Sequence, residues 1–121
     1  MDIAEAARLI EASPDFRLLR RVPGPRDWPL STSRGETRRG VFVDTETTGL
    51  DLDTDEVIEL ALLPFEYERE SGAIVSVDYD AALCAFRQPS FPISPESSKI
   101  HGITDEMVAG QIIDPDRIRS L

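Results

Sequence analysis

The order of apolar and polar positions in the first third of the chain predicts one short helix and then a long loop. Apolar residues recur at helical spacing over residues 3–12, and charged residues occupy the positions between them. Ser13-Pro14 ends this helix, because the residue before a proline is disfavoured in helical geometry. Residues 14–39 are rich in Pro, Gly, Ser and Arg, which predicts a surface loop that Trp28 pins to the rest of the protein.

The middle of the chain has the pattern of β-structure. Residues 41–43 are a continuous apolar run, typical of a strand that is buried on both faces. Residues 57–65 form a second apolar run, and residues 68–72 have the composition of a hairpin turn. A third strand is predicted over residues 73–87, with a bend in the polar run at 76–80. Three consecutive strands with short connections favour an antiparallel meander.

Two short helices are predicted beyond the strands, where several prolines stop strand formation. Ser94-Pro95-Glu96 has a capping serine, a proline at the first helical position and an acid in the first turn. Residues 104–106, Thr-Asp-Glu, form a second start of this kind, with Met107 and Val108 on the apolar side.

Composition limits the class of protein. The chain has 121 residues, which suits one modest domain, and 40% are apolar, enough for a packed core. It carries 13 basic and 23 acidic side chains, so the net charge is 13 − 23 = −10. This charge does not suit a protein that holds nucleic acid by a broad basic surface. It is compatible with a nucleic-acid enzyme, because bound cations reverse the sign of a carboxylate-lined site.

The charge is unevenly distributed. Residues 1–40 carry 8 basic and 6 acidic side chains (+2), and residues 41–121 carry 5 and 17 (−12). This shift predicts an N-terminal extension over residues 1–39 and a catalytic-type core over residues 40–121. The arginines of residues 14–39 either contact phosphates or belong to a solvated linker, and the linker is favoured. They are Arg17, Arg20, Arg21, Arg26, Arg34, Arg38 and Arg39.

The single cysteine, Cys84, excludes an internal disulfide and a cysteine-rich metal site, and its apolar neighbours predict a small core residue. The N-terminal residues include three acids and no long apolar run. They therefore match neither a signal peptide nor a membrane span. A cytoplasmic protein without a membrane partner is expected.

The candidate chemistry lies at the end of the first strand. Side chains two apart on a strand point to the same face, so Asp44 and Glu46 project together. Paired carboxylates in an apolar setting need a cation or a proton, and oxygen ligands suit Mg²⁺ or Mn²⁺. Gly49 permits a tight turn that brings backbone amides towards a ligand. An acid pair of this spacing is by itself more often a polar strand end, but the apolar strand before it and the Thr-Thr-Gly-Leu after it favour the metal site.

Three segments in this order resemble a known superfamily: VFVDTETTGLD, then EVIELALL, then IHGITDEM after a proline-rich stretch. They are similar to the DEDD exonucleases of the DEDDh type, above all to the proofreading subunit of bacterial DNA polymerase III, over residues 40 to about 110. The resemblance implies an α/β, ribonuclease H-like fold. The fold would be incomplete, comprising the antiparallel three-stranded half of the sheet plus short helices.

The resemblance also implies a site. Asp44 and Glu46 would be the catalytic residues that ligate two divalent ions, Mg²⁺ or Mn²⁺. The segment Thr47, Thr48, Gly49 and Leu50 would contact the 3′-terminal nucleotide, and Leu50 and Ile100 would pack on its base. The implied reaction is attack of a metal-activated water on the last phosphodiester, which releases a nucleoside monophosphate. The implied partners are the 3′ end of single-stranded DNA and, as a candidate, a DNA polymerase.

The chain departs from the family pattern after this first motif. An Asn-x-x-Phe-Asp sequence is absent, and the only histidine, His101, is followed five residues later by Glu106 where the family has Asp. His101 is therefore not expected to be the general base. A loop residue satisfied by the backbone is favoured, and a substrate-binding role at the rim of the site is the alternative. The sequence is expected to be a truncated N-terminal portion that holds metal weakly and is inactive alone.

Two weaker acidic signals have structural interpretations. Asp51-x-Asp53-x-Asp55 resembles the start of a calcium loop but lacks the required Gly and Glu, so a solvated acidic turn is expected. Glu59 lies within the second apolar strand, where a carboxylate needs a partner, and a structural hydrogen bond is expected.

Two other functions fit the sequence. The chain is alternatively a non-catalytic remnant that binds nucleic acid or a protein, which metal-independent binding without hydrolysis would indicate. The other possibility is a phosphatase with Asp44 as its nucleophile, although the acid at 46 argues against it.

Overall fold

The computed structural model describes residues 1–32 and 35–121. Within these ranges it contains one antiparallel sheet and short helices, so the predicted α/β fold with the antiparallel part of a ribonuclease H-like sheet is confirmed. The strands are β1 (Thr37–Thr47), β2 (Val57–Glu68), β3 (Ile74–Val77) and β4 (Leu83–Phe86). The α-helices are α1 (Ile3–Glu11), α2 (Pro95–His101), α3 (Asp105–Val108) and α4 (Pro115–Arg119), and Pro25–Asp27 forms a 3₁₀ turn.

Strand β2 is the centre of the sheet. Strand β1 pairs with it along its whole length, and β3 and β4 share its other edge. In this register Asp44 lies opposite Ala61, which in turn lies opposite Cys84. Directly paired residues of antiparallel strands have their side chains on the same face. The register therefore decides which side chains accompany the acid pair of β1.

The third predicted strand is two strands. The prediction placed one bent strand over residues 73–87, but residues 78–82 leave the sheet between β3 and β4. The amide of Asp78 donates to the carbonyl of Pro64 (2.9 Å), and its carboxylate then accepts from the amide of Ala81 (3.0 Å). This side-chain bond gives the backbone an alternative to the ladder, so the predicted bend becomes a break.

The long N-terminal loop is shorter than predicted. Residues 37–39, which were assigned to the loop over residues 14–39, belong to β1, because β2 continues to Glu68 and supplies paired partners for them. The remaining loop is fixed by Trp28, as predicted. Its ring meets Phe42 edge-on with centroids 6.2 Å apart, and its indole N–H donates to the carbonyl of Pro23 (3.1 Å). Arg34 lies outside the described residues.

A small apolar core lies at the end of the sheet where α2 and α3 begin. Ile58, Ile93, Ile103 and Val108 are buried together, and Phe86 packs against them. Val108 is fully buried as predicted, whereas Met107 is 46% exposed, because α3 is a single turn that presents one residue to the core. In the described part of the chain, no helix has the length and apolar character needed to span a membrane.

Candidate active site

Asp44 and Glu46 lie near the end of β1 and project from the same face of the sheet. Asp44 is exposed and Glu46 is half-buried. The ladder with β2 shifts register between Glu46 and Thr47, so the strand ends directly after the acid pair. Among the described residues, neither carboxylate takes part in an ion pair. Two negative charges are thus displayed together without protein cations to neutralise them.

A third acid belongs to the same face. Glu59 of β2 lies directly opposite Glu46, and its Oε1 accepts a hydrogen bond from the Cys84 thiol at 3.4 Å. The structural hydrogen bond expected for Glu59 is confirmed. Cys84 was predicted to be a core residue, which is wrong: strand alternation buries Leu83 and leaves Cys84 exposed beside Glu59. Although the residue is exposed, partial burial of its thiol raises the pKa of Cys84, and the neighbouring Glu59 raises it further.

The donor set suits a hard cation. Asp44 and Glu46 offer carboxylate oxygens alone, the ligands that Mg²⁺ and Mn²⁺ prefer. Over residues 1–32 and 35–121, no three side chains of His, Cys, Asp or Glu stand close enough to enclose an ion. The pair can therefore supply part of a coordination shell, whose other positions would be open to water and to a phosphate oxygen.

The loop after β1 is held in a defined shape by Thr48. This residue is 5% exposed, and its amide donates to the carbonyl of Glu56 (2.9 Å). Its hydroxyl accepts from the amide of Glu56 (2.9 Å) and donates to Oδ1 of Asp55 (2.8 Å). The backbone and the hydroxyl of Thr48 are thus fully engaged within the protein.

Asp55 is a half-buried partner of this loop. Its Oδ2 accepts from the amide of Asp51 (2.8 Å), and it lies so close to Gly49 that any Cβ there would collide with its carboxylate. Glycine is therefore required at position 49 for close approach. The solvated acidic turn expected for residues 51–55 is correct for the exposed Asp51 and Asp53 but wrong for the half-buried Asp55.

The neighbouring Glu56 ties the loop to the segment after β4. Its carboxylate accepts from the Arg87 guanidinium (2.6 Å) and from the amide of Ser90 (3.1 Å), and it also contacts the Ser90 hydroxyl. The bonds from Ser90, and then the charge of Arg87, lower the pKa of Glu56 below 4.5. Glu56 therefore remains ionised at neutral pH.

Helix α2, which carries the substrate-binding candidate Ile100, is bonded to the loop after β1. The hydroxyl of Ser97, one turn before Ile100, donates to the carbonyl of Thr48 (2.6 Å). Leu50 and Ile100 are large apolar side chains that are 97% and 85% exposed. Aliphatic side chains this exposed are free to pack on an apolar ligand surface such as a base.

His101 ends α2 and its ring is engaged locally. Its Nδ1 accepts from the amide of Ile103 (3.0 Å), which assigns the ring proton of the neutral form to Nε2. In the part of the chain that the structure describes, Nε2 is buried without a hydrogen-bond partner. The contact with the backbone is the one that the loop interpretation of His101 predicts.

The arginines of the N-terminal extension are not gathered at the acid pair in the contacts seen. Arg20 pairs with Glu11 at 2.7 Å, and Arg26 lies over the ring of Tyr79, 4.6 Å from its centroid. Arg39 reaches the carbonyl of Leu121 at 2.7 Å. These separate contacts support the favoured interpretation of scattered charge.

The loop after β1 and helix α2 are thus held together by residues that the sequence did not reveal. Asp55, Glu56 and Ser97 hold the loop and α2, and none was a candidate. Gly49 was the available signal for Asp55, because a glycine after a strand is compatible with close approach as well as with a tight turn. Nothing local marked Ser97, which contacts a residue 49 positions earlier in the chain.

Comparison with known proteins identifies the family. The model of the exonuclease (RNase T) family matches residues 41–112, more than half of the chain. The uncharacterized exonuclease CP81 of Escherichia phage 186 is 38% identical over 68 residues, which cover 56% of this chain and 28% of the phage protein. The PolC-type DNA polymerase III of Pediococcus pentosaceus is 34% identical over 76 residues, 63% of this chain and 5% of the polymerase.

The chain spans about a quarter of the phage relative and a twentieth of the polymerase. The matched region contains the acid pair, the loop that follows it, the central strand and α2. This match leaves no support for the phosphatase alternative. The chain belongs to the exonuclease family.

Proposed function

We propose that the chain is the N-terminal part of a metal-dependent 3′–5′ exonuclease that removes nucleoside monophosphates from DNA. Residues 40–121 would be this portion of the catalytic domain, with residues 1–39 as an extension. The observation that carries the proposal is the placement of Asp44 and Glu46 on one face at the end of β1, without ion-pair partners among the described residues. Two like charges held on one face repel each other, and a bound cation would relieve that repulsion.

Asp44 and Glu46 would hold the divalent ions, Mg²⁺ or Mn²⁺. When bound, such ions lower the pKa of a coordinated water and stabilise the charge that develops on a phosphodiester. The two carboxylates would hold the ions at the end of β1. Because this chain provides only a pair of ligands, it would bind metal weakly and be inactive by itself.

The substrate would lie along the loop and α2. The backbone of residues 47–50 would approach the 3′-terminal nucleotide, and the exposed side chains of Leu50 and Ile100 would pack on its base. Thr48 would act through the shape of the loop, since its hydroxyl is already engaged. His101 would hold the end of α2 through Ile103 at the rim of the site.

Single-stranded DNA is the proposed substrate, because an apolar clamp needs an unpaired terminal base. The similarity to a PolC-type polymerase supports association with a DNA polymerase as a second part of the proposal. The negative charge of the chain argues against a broad DNA-binding surface. Recognition would therefore be confined to the terminal nucleotides.

A chimera tests the proposed activity. Residues 41–112 would replace the matching segment of the phage 186 exonuclease, whose remaining residues would supply the rest of a catalytic domain. With Mg²⁺ and a single-stranded DNA labelled at its 5′ end, the expected result is a ladder of products shortened one nucleotide at a time. Asp44→Ala and Glu46→Ala should abolish the ladder, and Asp53→Ala, in an exposed turn residue, is the matched control.

Three results would contradict the proposal. Undiminished activity in the Asp44 or Glu46 variant would remove these residues from the site. Immediate release of the 5′ label would reverse the polarity. Binding of DNA by the 121-residue chain that needs no metal, together with an inactive chimera and an active phage parent, would favour the non-catalytic binding module.

A further inference from the structure

We propose that the hydrogen bond from the Ser97 hydroxyl to the Thr48 carbonyl is a positioning latch that holds Leu50 and Ile100 in register with each other. The inference rests on the proposed function, because it concerns how the two substrate-binding candidates are kept in place. Ser97 and Asp55 are thereby assigned roles as positioning residues.

The latch joins two elements that are far apart in sequence. Ser97 and Thr48 are separated by 49 positions, and their bond of 2.6 Å is part-buried. Leu50 follows Thr48 by two residues, and Ile100 follows Ser97 by three, within one helical turn. A shift of the loop relative to α2 would therefore change the spacing between the two exposed apolar side chains.

The loop side of the latch is fixed by Asp55. Its two carboxylate oxygens accept from the Thr48 hydroxyl and the Asp51 amide, at 2.8 Å each, and so span the segment that contains Leu50. The carboxylate lies directly against Gly49. Asp55 forms no ion pair among the described residues, so its charge is stabilised by these local donors.

The helix side is fixed independently of the loop. The amide of Ser97 donates to the capping hydroxyl of Ser94 (3.1 Å), and the amide of Ile93 donates to Asp105 Oδ1 (3.0 Å). Ile93 belongs to the buried core. The Ser97 hydroxyl also accepts from the Ser94 hydroxyl (3.0 Å), so its removal loses that bond too, but the two amide bonds still hold the start of α2. The expected consequence is movement of the loop.

The test uses the 121-residue chain labelled with ¹⁵N and ¹³C-methyl groups. Thymidine 5′-monophosphate is titrated in saturating Mg²⁺, and shifts at Leu50 and Ile100 are followed. Ser97→Ala is compared with Ser98→Ala, its neighbour on α2. Amide exchange at residues 48–50 is measured in each free protein.

The expected result is selective. Ser97→Ala should weaken nucleotide binding about five- to tenfold, as the loss of part-buried hydrogen bonds would. The Leu50 and Ile100 shifts at saturation should become smaller, and exchange of the Thr48 amide, which bonds the Glu56 carbonyl, should rise. Ser98→Ala should retain the wild-type values. A purely structural role would weaken all the variants in proportion to their loss of stability.

Two results would overturn the latch. Wild-type affinity and wild-type exchange of the Thr48 amide in Ser97→Ala would show that the bond positions nothing. Equal losses in Ser97→Ala and Ser98→Ala would show a general effect on α2. If the wild-type chain shows no shift with nucleotide, the proposed substrate site fails and amide exchange alone decides the latch. An unchanged Thr48 amide in Ser97→Ala then rejects the latch, and a faster one retains it.

Discussion

Glu46 of β1 lies directly opposite Glu59 of β2, on the sheet face that also presents Asp44. Like charges at directly paired positions destabilise an antiparallel sheet. In the described part of the chain, no ion pair involves any of the three carboxylates. These three carboxylates thus place negative charge on one face of the sheet, and no ion pair among the described residues neutralises it. A divalent cation at Asp44 and Glu46 would relieve this repulsion.

Neutralising Glu59, which lies opposite Glu46, should stabilise the metal-free protein. Glu59→Gln is expected to raise the free energy of unfolding by about 0.5 kcal/mol at low ionic strength, because repulsion from Glu46 is lost while the Cys84 thiol keeps an acceptor. Urea unfolding measures the change. Glu70→Gln, in the exposed hairpin turn, is the control for loss of one negative charge. A destabilised Glu59→Gln variant would contradict the inferred repulsion.

Cys84 should react slowly for an exposed thiol. Its pKa is raised by burial of the thiol group and by Glu59, so less thiolate is present at neutral pH. Alkylation by iodoacetamide should be slower in the folded protein than in urea, after correction for the effect of urea on the reagent. Glu59→Gln should increase the folded rate without reaching that of an ordinary thiol, because burial remains. Equal rates in folded and unfolded protein would refute this prediction.

Glu56 should make stability depend on pH in the acid range. Its pKa is lowered in the folded state, so its stabilising effect is fully present above its unfolded pKa of about 4.5. That stability should decline as the pH falls from about 4.5 through the lower folded value. Glu56→Gln should be less stable than wild type at neutral pH, and the difference should shrink on acidification. Urea midpoints across this range provide the measurement, and a constant difference would contradict the assignment.

The single tryptophan should report the attachment of the N-terminal loop. Trp28 meets Phe42 edge-on, and Phe42 stacks on Phe65 with centroids 4.2 Å apart. Trp28→Ala should cost about 1–2 kcal/mol of unfolding free energy through lost aromatic contact and burial. Trp28→Phe should recover part of that loss, since it keeps the ring but not the bond to Pro23. Unchanged stability in Trp28→Ala would show that the loop is not attached through this ring.

The elements that the sequence predicted well are those defined by neighbouring residues. Strand geometry places Asp44 and Glu46 on one face, and Ser94-Pro95 starts α2 with the expected cap. The burial predicted for residues 41–43 on both faces is wrong: all three are exposed, because β1 lies at the edge of the sheet and has a neighbouring strand on one side only. The break between β3 and β4 was only partly predicted, because the pattern indicated a bend and only the fold shows that the Asp78 carboxylate binds the amide of Ala81 in place of the sheet ladder. Cys84 was misassigned for a similar reason, since its apolar neighbours in sequence are not its neighbours in the sheet.

The contacts that support the site could not be predicted from local sequence patterns. Asp55 has the appearance of one acid among several in a turn, and only the folded loop places it against Thr48 and Gly49. Ser97 contacts Thr48 across the fold. The chemistry-bearing acids could therefore be predicted from spacing, whereas the groups that orient the substrate-binding loop required the tertiary structure.

Titration of the ¹⁵N-labelled 121-residue chain with Mg²⁺ tests the central claim most directly. The predicted result is weak, saturable binding with amide shifts concentrated at residues 44–50. Mutating residues that only support metal ligands lowers metal affinity by roughly 10–100-fold. Because Asp44 and Glu46 would be the ligands themselves, Asp44→Asn and Glu46→Gln should lower the Mg²⁺ affinity by at least that factor. Asp53→Asn is the control and should bind as the wild type does. Binding that is unchanged in both acid-pair variants, or shifts confined to the turn at residues 51–55, would contradict the account.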